Sequence, residues 1–234
     1  MSKLTAIAFD ADDTLWHNEC HFKFTQNMFV TLLGDHAAPE HIHEKLQAAE
    51  RKNLKFYGFG IKGFTLSMIE TAIEVTGGKV EASAIAKLLE HGREMLQHPV
   101  ELLPHAREAL EALQGDFKLL LITKGDLFDQ ERKVAASGLG EFFSGLEIVS
   151  DKTPDVYARI FKRHGTGAEH GLMAGNSLKS DVIPMLKAGG LGVYIPHELT
   201  WEYEREDAPT GHHRYHQLQD LSVLPALVRK LSVQ

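Results

Sequence analysis

Leu4-Thr5-Ala6-Ile7-Ala8-Phe9-Asp10-Ala11-Asp12-Asp13-Thr14-Leu15 is a near-continuous apolar run that ends in three carboxylates. A run of strand length without polar alternation suits a strand buried on both faces of a parallel sheet. Open α/β sheets bind ligands at the carboxyl ends of their strands, and Asp10, Asp12 and Asp13 stand at that edge. Crowded carboxylates repel one another, and a divalent cation with oxygen ligands is the simplest way to neutralise them. A solvated acidic turn capping a helix has the same residue types, so this stretch by itself leaves both readings open.

Working outward, similar short apolar runs recur at Lys118 to Thr123, Leu146 to Val149, Leu172 to Ala174 and Val193 to Ile195, with helix-like stretches between the later ones. Alternating strands and helices imply right-handed crossovers and a doubly wound, Rossmann-like α/β sheet. Between the first two strands lie roughly a hundred residues without a strand pattern, far more than a crossover needs. Helical periodicity near His21 to Leu33, Glu40 to Leu54, Gly63 to Val75 and Ala82 to Gln97 predicts a helical bundle inserted there. The expected division is therefore 1–16 with 100–234 as the α/β core and 17–99 as the insert. Pro104, followed by an Ala- and Glu-rich segment, reads as the helix start that re-enters the core. Arg51 to Phe64 mixes bases, aromatics and glycines, and has two readings: a helix end followed by an apolar turn packed in the insert, or a loop between two insert helices in which Lys55 and Lys62 meet an anionic or ring-bearing substrate.

The chain has 234 residues, 43% of them hydrophobic, which is ample for one large core plus an insert. With 25 basic and 32 acidic residues its formal charge is −7, which argues against a protein built to coat nucleic acid or an anionic membrane. Cys20 is the single cysteine, so no internal disulfide forms and a reducing, cytoplasmic setting is expected. The N-terminal residues carry no signal-peptide pattern, and a soluble protein is expected. Among fourteen histidines, His212-His213-x-x-His216 lacks a shared carboxylate and is not read as a metal site.

The segment Phe9 to Leu15 resembles motif I of the haloacid dehalogenase (HAD) superfamily, in which Asp-x-Asp-x-Thr follows the first strand. That resemblance requires three further motifs in order. Leu119-Leu120-Leu121-Ile122-Thr123-Lys124-Gly125 supplies a Thr at the end of a core strand, where a hydroxyl and backbone N–H groups can hold phosphate oxygens. Ser150-Asp151-Lys152-Thr153-Pro154-Asp155-Val156-Tyr157 supplies a Lys before a helix, although the first Pro of the familiar Lys-Pro-x-Pro-x-x-aromatic pattern is missing and the stretch is one residue shorter. Lys124 and Lys179 are the fallbacks for that cation. Leu172 to Asp181 fits Gly-Asp-Ser-x-x-x-Asp except that Asn176 replaces the first Asp; an amide oxygen is a neutral and weaker ligand for magnesium than a carboxylate. The four motifs span residues 9 to 181, and a helical insert after motif I resembles the C1-type cap of the family.

The resemblance implies a Mg²⁺-dependent phosphatase acting on a small phosphorylated metabolite, with no nucleic-acid or membrane partner. Asp10 becomes the nucleophile that forms an aspartyl-phosphate, and Asp12 the general acid and then base. Asp10, the Asp12 backbone carbonyl, Asn176 and either directly or indirectly Asp181 would hold Mg²⁺, while Thr123, Lys124 and Lys152 would bind the phosphate. A 2-haloacid dehalogenase uses the same Asp nucleophile without metal or leaving-group acid; Asp12 speaks against it and Asn176 for it. A non-catalytic binding module that kept the fold is the third reading, which the intact Asp10, Asp12, Thr123 and Lys152 set opposes.

Overall fold

In the computed structural model, which describes residues 4–232, the opening run forms strand β1 (Ala6–Phe9), with every residue buried. It pairs in parallel on both sides, with β2 (Lys118–Lys124) and with β4 (Gly171–Gly175). β3 (Gly145–Val149) extends the sheet beyond β2, and β5 (Leu191–Tyr194) and β6 (Tyr215–Gln217) extend it beyond β4. All pairings are parallel and the order is β3-β2-β1-β4-β5-β6. The order reverses between β1 and β4, the switch point at which open α/β sheets form their ligand crevice. β6 has no counterpart in the sequence reading, because three half-exposed edge residues are too few to make a pattern.

Period-two alternation divides β1 between two cores. Ile7 and Phe9 pack with Leu119, Leu121, Leu172 and Val193 and with residues of α5 (Ala106–Leu113) and α9 (Leu224–Ser232). Ala6 and Ala8 face Leu120, Ile122 and Met173, together with Tyr157 and Phe161 of α7 (Pro154–His164). α6 (Leu127–Ser137) follows β2, and α8 (Ile183–Lys187) follows a π-helical turn at Leu178–Val182.

The chain divides into two compact units, one of residues 4–19, 100–124 and 130–232 and one of residues 20–99 and 125–129. The second contains α1 (Glu19–Leu32) from Cys20 onward, α2 (Pro39–Tyr57), α3 (Ile61–Val75) and α4 (Ala82–Gln97), around Phe29, Ile42, Leu46, Phe64, Met68 and Leu88. α3 and α4 approach closely at Gly92, where an added Cβ would lie 2.5 Å from Thr65 Oγ1.

Arg51 to Phe64 is a helix end, a short turn and the start of the next helix. Only Gly58 to Gly60 separates α2 from α3, because Gly58, at a φ of +69°, lets its N–H cap the Leu54 carbonyl and stop the helix. Buried Asn53 ties the two helices together by donating to Ser67 Oγ and Glu70. Lys62 pairs with Asp126 at 2.9 Å. No described helix is long and apolar enough to cross a membrane.

Candidate active site

At the carboxyl end of β1 the Asp10 N–H donates to the Ala174 carbonyl at 2.9 Å, which locks the nucleophile candidate to the last turn of backbone in β4. Its carboxylate accepts from Lys152 Nζ at 2.5 Å, and the same ammonium donates to Asp181 Oδ1 at 2.6 Å. All three side chains are buried. Lys152 arrives there without the missing proline: Thr153 caps α7 by accepting from the Val156 N–H, Pro154 starts the helix, and Lys152 projects from the residue before the cap. Burial, and secondarily the Asp181 charge, push the Asp10 carboxyl up to about 7 against the opposing pull of Lys152. Burial disfavours the Lys152 ammonium, but the two aspartates outweigh it and hold its pKa above the ordinary lysine value.

Asp12 is partly exposed, and its carboxylate is held by three donors from the same unit. Trp16 Nε1 and Lys133 Nζ each donate to Oδ1 at 2.7 Å, and Gln130 Nε2 donates to Oδ2 at 2.8 Å. Burial pushes this carboxyl up, but the Lys133 ammonium and the hydrogen bonds prevail and hold it below the usual carboxylate range. Gln130 and Lys133 stand three apart on α6, so one helix face presents both. Neither was read from the sequence, where a Gln and a Lys on an amphipathic helix carry no signal of their own.

Asp13 sits in the left-handed region at a φ of 58°, a conformation that Asp and Asn tolerate better than other side chains. Its carboxylate accepts from the backbone N–H groups of Asn18 and Glu19 and faces His197 at 3.8 Å. Burial raises it to about 6, with His197 opposing and Asp12 adding to the rise. Thr14 Oγ1 accepts from the Asn176 N–H at 3.1 Å and donates to Asn176 Oδ1 at 3.3 Å, which ties motif I directly to motif IV.

Thr123 is buried at the end of β2. The register sets Leu121 beside Phe9, so Thr123 lies two residues further along, level with the start of the acidic turn. Lys124 points to motif IV: its ammonium donates to Ser180 Oγ and to Glu204 Oε1, both at 2.7 Å. Lys179 donates to the Tyr203 carbonyl at 2.8 Å and lies 3.5 Å over the Tyr203 ring, so this fallback cation is engaged elsewhere. His212 and His213 stack in a turn while His216 belongs to β6, and among the described residues no trio of His, Cys, Asp or Glu is placed to hold a metal.

A magnesium site at this edge would draw on other donors, and the chemistry of the set fits. Asp10 and Asn176 offer hard oxygen ligands. Among the described residues, five carboxylates, from Asp10, Asp12, Asp13, Asp181 and Glu204, face three ammonium groups, from Lys124, Lys133 and Lys152, and one imidazole, from His197. That surplus, and the upward push on Asp10, are what a nearby cation would relieve. Asp181 is fully buried with Oδ1 on Lys152 and Oδ2 accepting from the Ser177 N–H, so its geometry suits holding Lys152 and the motif IV turn. Gly175 permits this: a Cβ there would fall 2.2 Å from Asp181 Oδ2.

The family model for haloacid dehalogenase-like hydrolases matches residues 4–190. The chain belongs to that family. Its structure is similar to that of a haloacid dehalogenase-like family hydrolase from Xanthomonas campestris, with 42% identity, a TM-score of 0.89, and coverage of 99% of this chain and 93% of that one. Two more distant HAD structures share the fold: a putative HAD hydrolase from Bacillus subtilis bound to magnesium, at 17% identity, TM-score 0.66 and coverage of 97% and 99%, and the L-2-haloacid dehalogenase of Xanthobacter autotrophicus with chloropropionic acid covalently bound, at 18% identity, TM-score 0.66 and coverage of 97% and 98%. Among curated proteins, none matches this chain.

Proposed function

We propose that this HAD-like hydrolase is a Mg²⁺-dependent phosphatase of small phosphomonoesters. The observation that carries the reading is the convergence of Asp10, Lys152, Asp181 and Asn176 at one strand edge, with a second carboxylate, Asp12, two residues from the first. When bound, Mg²⁺ would be held by Asp10, Asn176 and the Asp12 backbone carbonyl, and would offset the charge of the phosphoryl oxygens. Lys152 lowers the repulsion between the Asp10 carboxylate and an incoming phosphate, and Asp181 keeps that ammonium in place.

The Asp10 oxygen then forms a bond to phosphorus as the ester P–O bond breaks. Asp12 gives its proton to the departing oxygen and, as a carboxylate, takes one from the water that hydrolyses the aspartyl-phosphate. Thr123, at the end of β2, would orient phosphate oxygens with the surrounding backbone N–H groups. Lys124 faces Glu204 and Ser180, and so contributes to the phosphate pocket chiefly by bracing motif IV. Magnesium bound to the B. subtilis relative is consistent with the same dependence here.

The grip of Trp16, Gln130 and Lys133 on Asp12 favours a second reading, in which a halide leaves unprotonated and the same Asp10 attacks the carbon of a 2-haloacid. Phosphate release from an aryl phosphate, and halide release from 2-chloropropionate, each with and without Mg²⁺, separate the two. Magnesium-dependent phosphate release lost in Asp10→Asn supports the phosphatase; metal-independent halide release without phosphatase activity overturns it.

A further inference from the structure

Glu204 lies outside all four motifs, on a turn (Glu202–Glu204) in the long connection between β5 and β6. Its largely buried carboxylate is nevertheless wired to two of them. Oε1 accepts from Lys124 Nζ, and Oε2 accepts from the hydroxyls of Ser177, at 2.5 Å, and Ser180. The Lys124 carbonyl in turn accepts from Gln130 Nε2 at 2.9 Å, and that same amide nitrogen donates its other hydrogen to Asp12 Oδ2. Both neighbours of the amide nitrogen are acceptors, so the Gln130 side chain has one orientation here. Its Oε1 is buried without a hydrogen-bond partner among the described residues, and nothing on that side competes for the amide.

We propose that Glu204 is a positioning residue for Asp12, acting through Lys124 and Gln130; the inference rests on the phosphatase reading, in which Asp12 protonates the leaving group. Truncation to Ala takes from the largely buried Lys124 ammonium the acceptor that Glu204 supplies, which a Gln amide oxygen can still supply, and the ammonium swings toward water. The Lys124 backbone and Gln130 shift with it, and the donor to Asp12 Oδ2 moves off line. A displacement of this kind weakens proton delivery while leaving Asp10 and Lys152 in place. A purely structural anchor for the β5–β6 connection would instead lower activity toward every substrate alike.

The leaving group provides the test. With Mg²⁺ present, kcat/KM is measured on p-nitrophenyl phosphate, whose leaving group departs without a proton, and on glycerol 2-phosphate, whose alkoxide needs one. This ratio is independent of the fraction of folded enzyme. Glu204→Ala is expected to lower glycerol 2-phosphate hydrolysis roughly 10-fold more than p-nitrophenyl phosphate hydrolysis, in the direction of Asp12→Asn, and Glu204→Gln to recover most of the difference.

A second readout needs neither metal nor substrate. The indole N–H of Trp16 donates to Asp12 Oδ1, so its ¹H–¹⁵N resonance, identified with Trp201→Phe, reports the Asp12 carboxylate. It should move in Glu204→Ala toward its place in Asp12→Asn and stay near wild type in Glu204→Gln. An equal loss on both esters, or an unmoved Trp16 resonance in Glu204→Ala, overturns the inference and leaves the phosphatase reading standing. A wild-type protein that hydrolyses neither ester removes the phosphatase reading itself, and the inference with it.

Discussion

The α/β unit and the helical unit differ in how their buried carboxylates are partnered. In the α/β unit Asp10, Asp12, Asp181 and Glu204 each meet an ammonium group within 2.7 Å, and most of their remaining oxygens accept from hydroxyl or N–H groups. In the helical unit Glu50 on α2 keeps a buried oxygen, Oε2, with no hydrogen-bond partner among the described residues. Burial raises its carboxyl to about 7, with Lys23 and Arg51 opposing only from a distance. The contrast shows where the sequence spends its ionic interactions. Paired charges crowd the strand edge, whereas the helical unit is stabilised by its apolar seam and holds one carboxyl that burial shifts toward its neutral form.

The comparison breaks first at Asp10. Asp10→Asn should abolish turnover, by more than roughly 10⁴-fold in kcat, while the protein stays folded, as circular dichroism and thermal melting can show. Retained turnover would mean that the strand-edge charges serve stability alone. Next in size, Lys152→Met leaves Asp10 and Asp181 buried without their shared cation and should lower stability by about 3–5 kcal/mol in urea unfolding. A loss under about 1 kcal/mol would place those carboxylates in a far wetter setting than their burial implies.

Glu50 sharpens the contrast through pH. Its folded pKa of about 7 lies above the unfolded value of 4.5, so the neutral form is the one that folding favours. Its contribution is fully present below about pH 4.5, declines as pH rises, and is lost once pH passes 7. Glu50→Gln, neutral throughout, should therefore gain about 2–3 kcal/mol over wild type at pH 8 and nothing near pH 4.5, measured as the difference between paired urea titrations. The smallest effect belongs to the exposed pair Lys62–Asp126 in the helical unit. Lys62→Ala should change stability by less than about 1 kcal/mol, and less again at high salt.

How much of this was legible beforehand depends on whether a residue's partner is near in sequence or only in space. β1, the alternating α/β plan and the four inserted helices follow from apolar periodicity, which local sequence carries directly. Motifs I to IV could be read because each places its chemistry at a fixed offset from a strand end. Gln130, Lys133 and Glu204 could not, since their significance comes from a rotation of α6 and the path of the β5–β6 connection, and a Gln, a Lys or a Glu on a polar stretch is unremarkable until those are known. Of the two readings of Arg51 to Phe64, the helix end followed by a short turn is the one the structure has. Only Gly58 to Gly60 leave the helical path, and Asn53, a weak helix former, is retained in α2 by its hydrogen bonds to α3.

The hydrogen bond from the Asp10 N–H to the Ala174 carbonyl makes the alignment of Asp10 with Lys152 a matter of strand registry, and with it the proposed catalysis. Were β1 to slide past β4 by a single position, every side chain on it would turn to the opposite face, and the Asp10 carboxylate would be carried about 3.3 Å from its ammonium partner. The protein therefore has no partly assembled centre to offer while the sheet is still choosing its pairing: hydrolytic competence and the final zipping of its two middle strands should emerge in the same kinetic step.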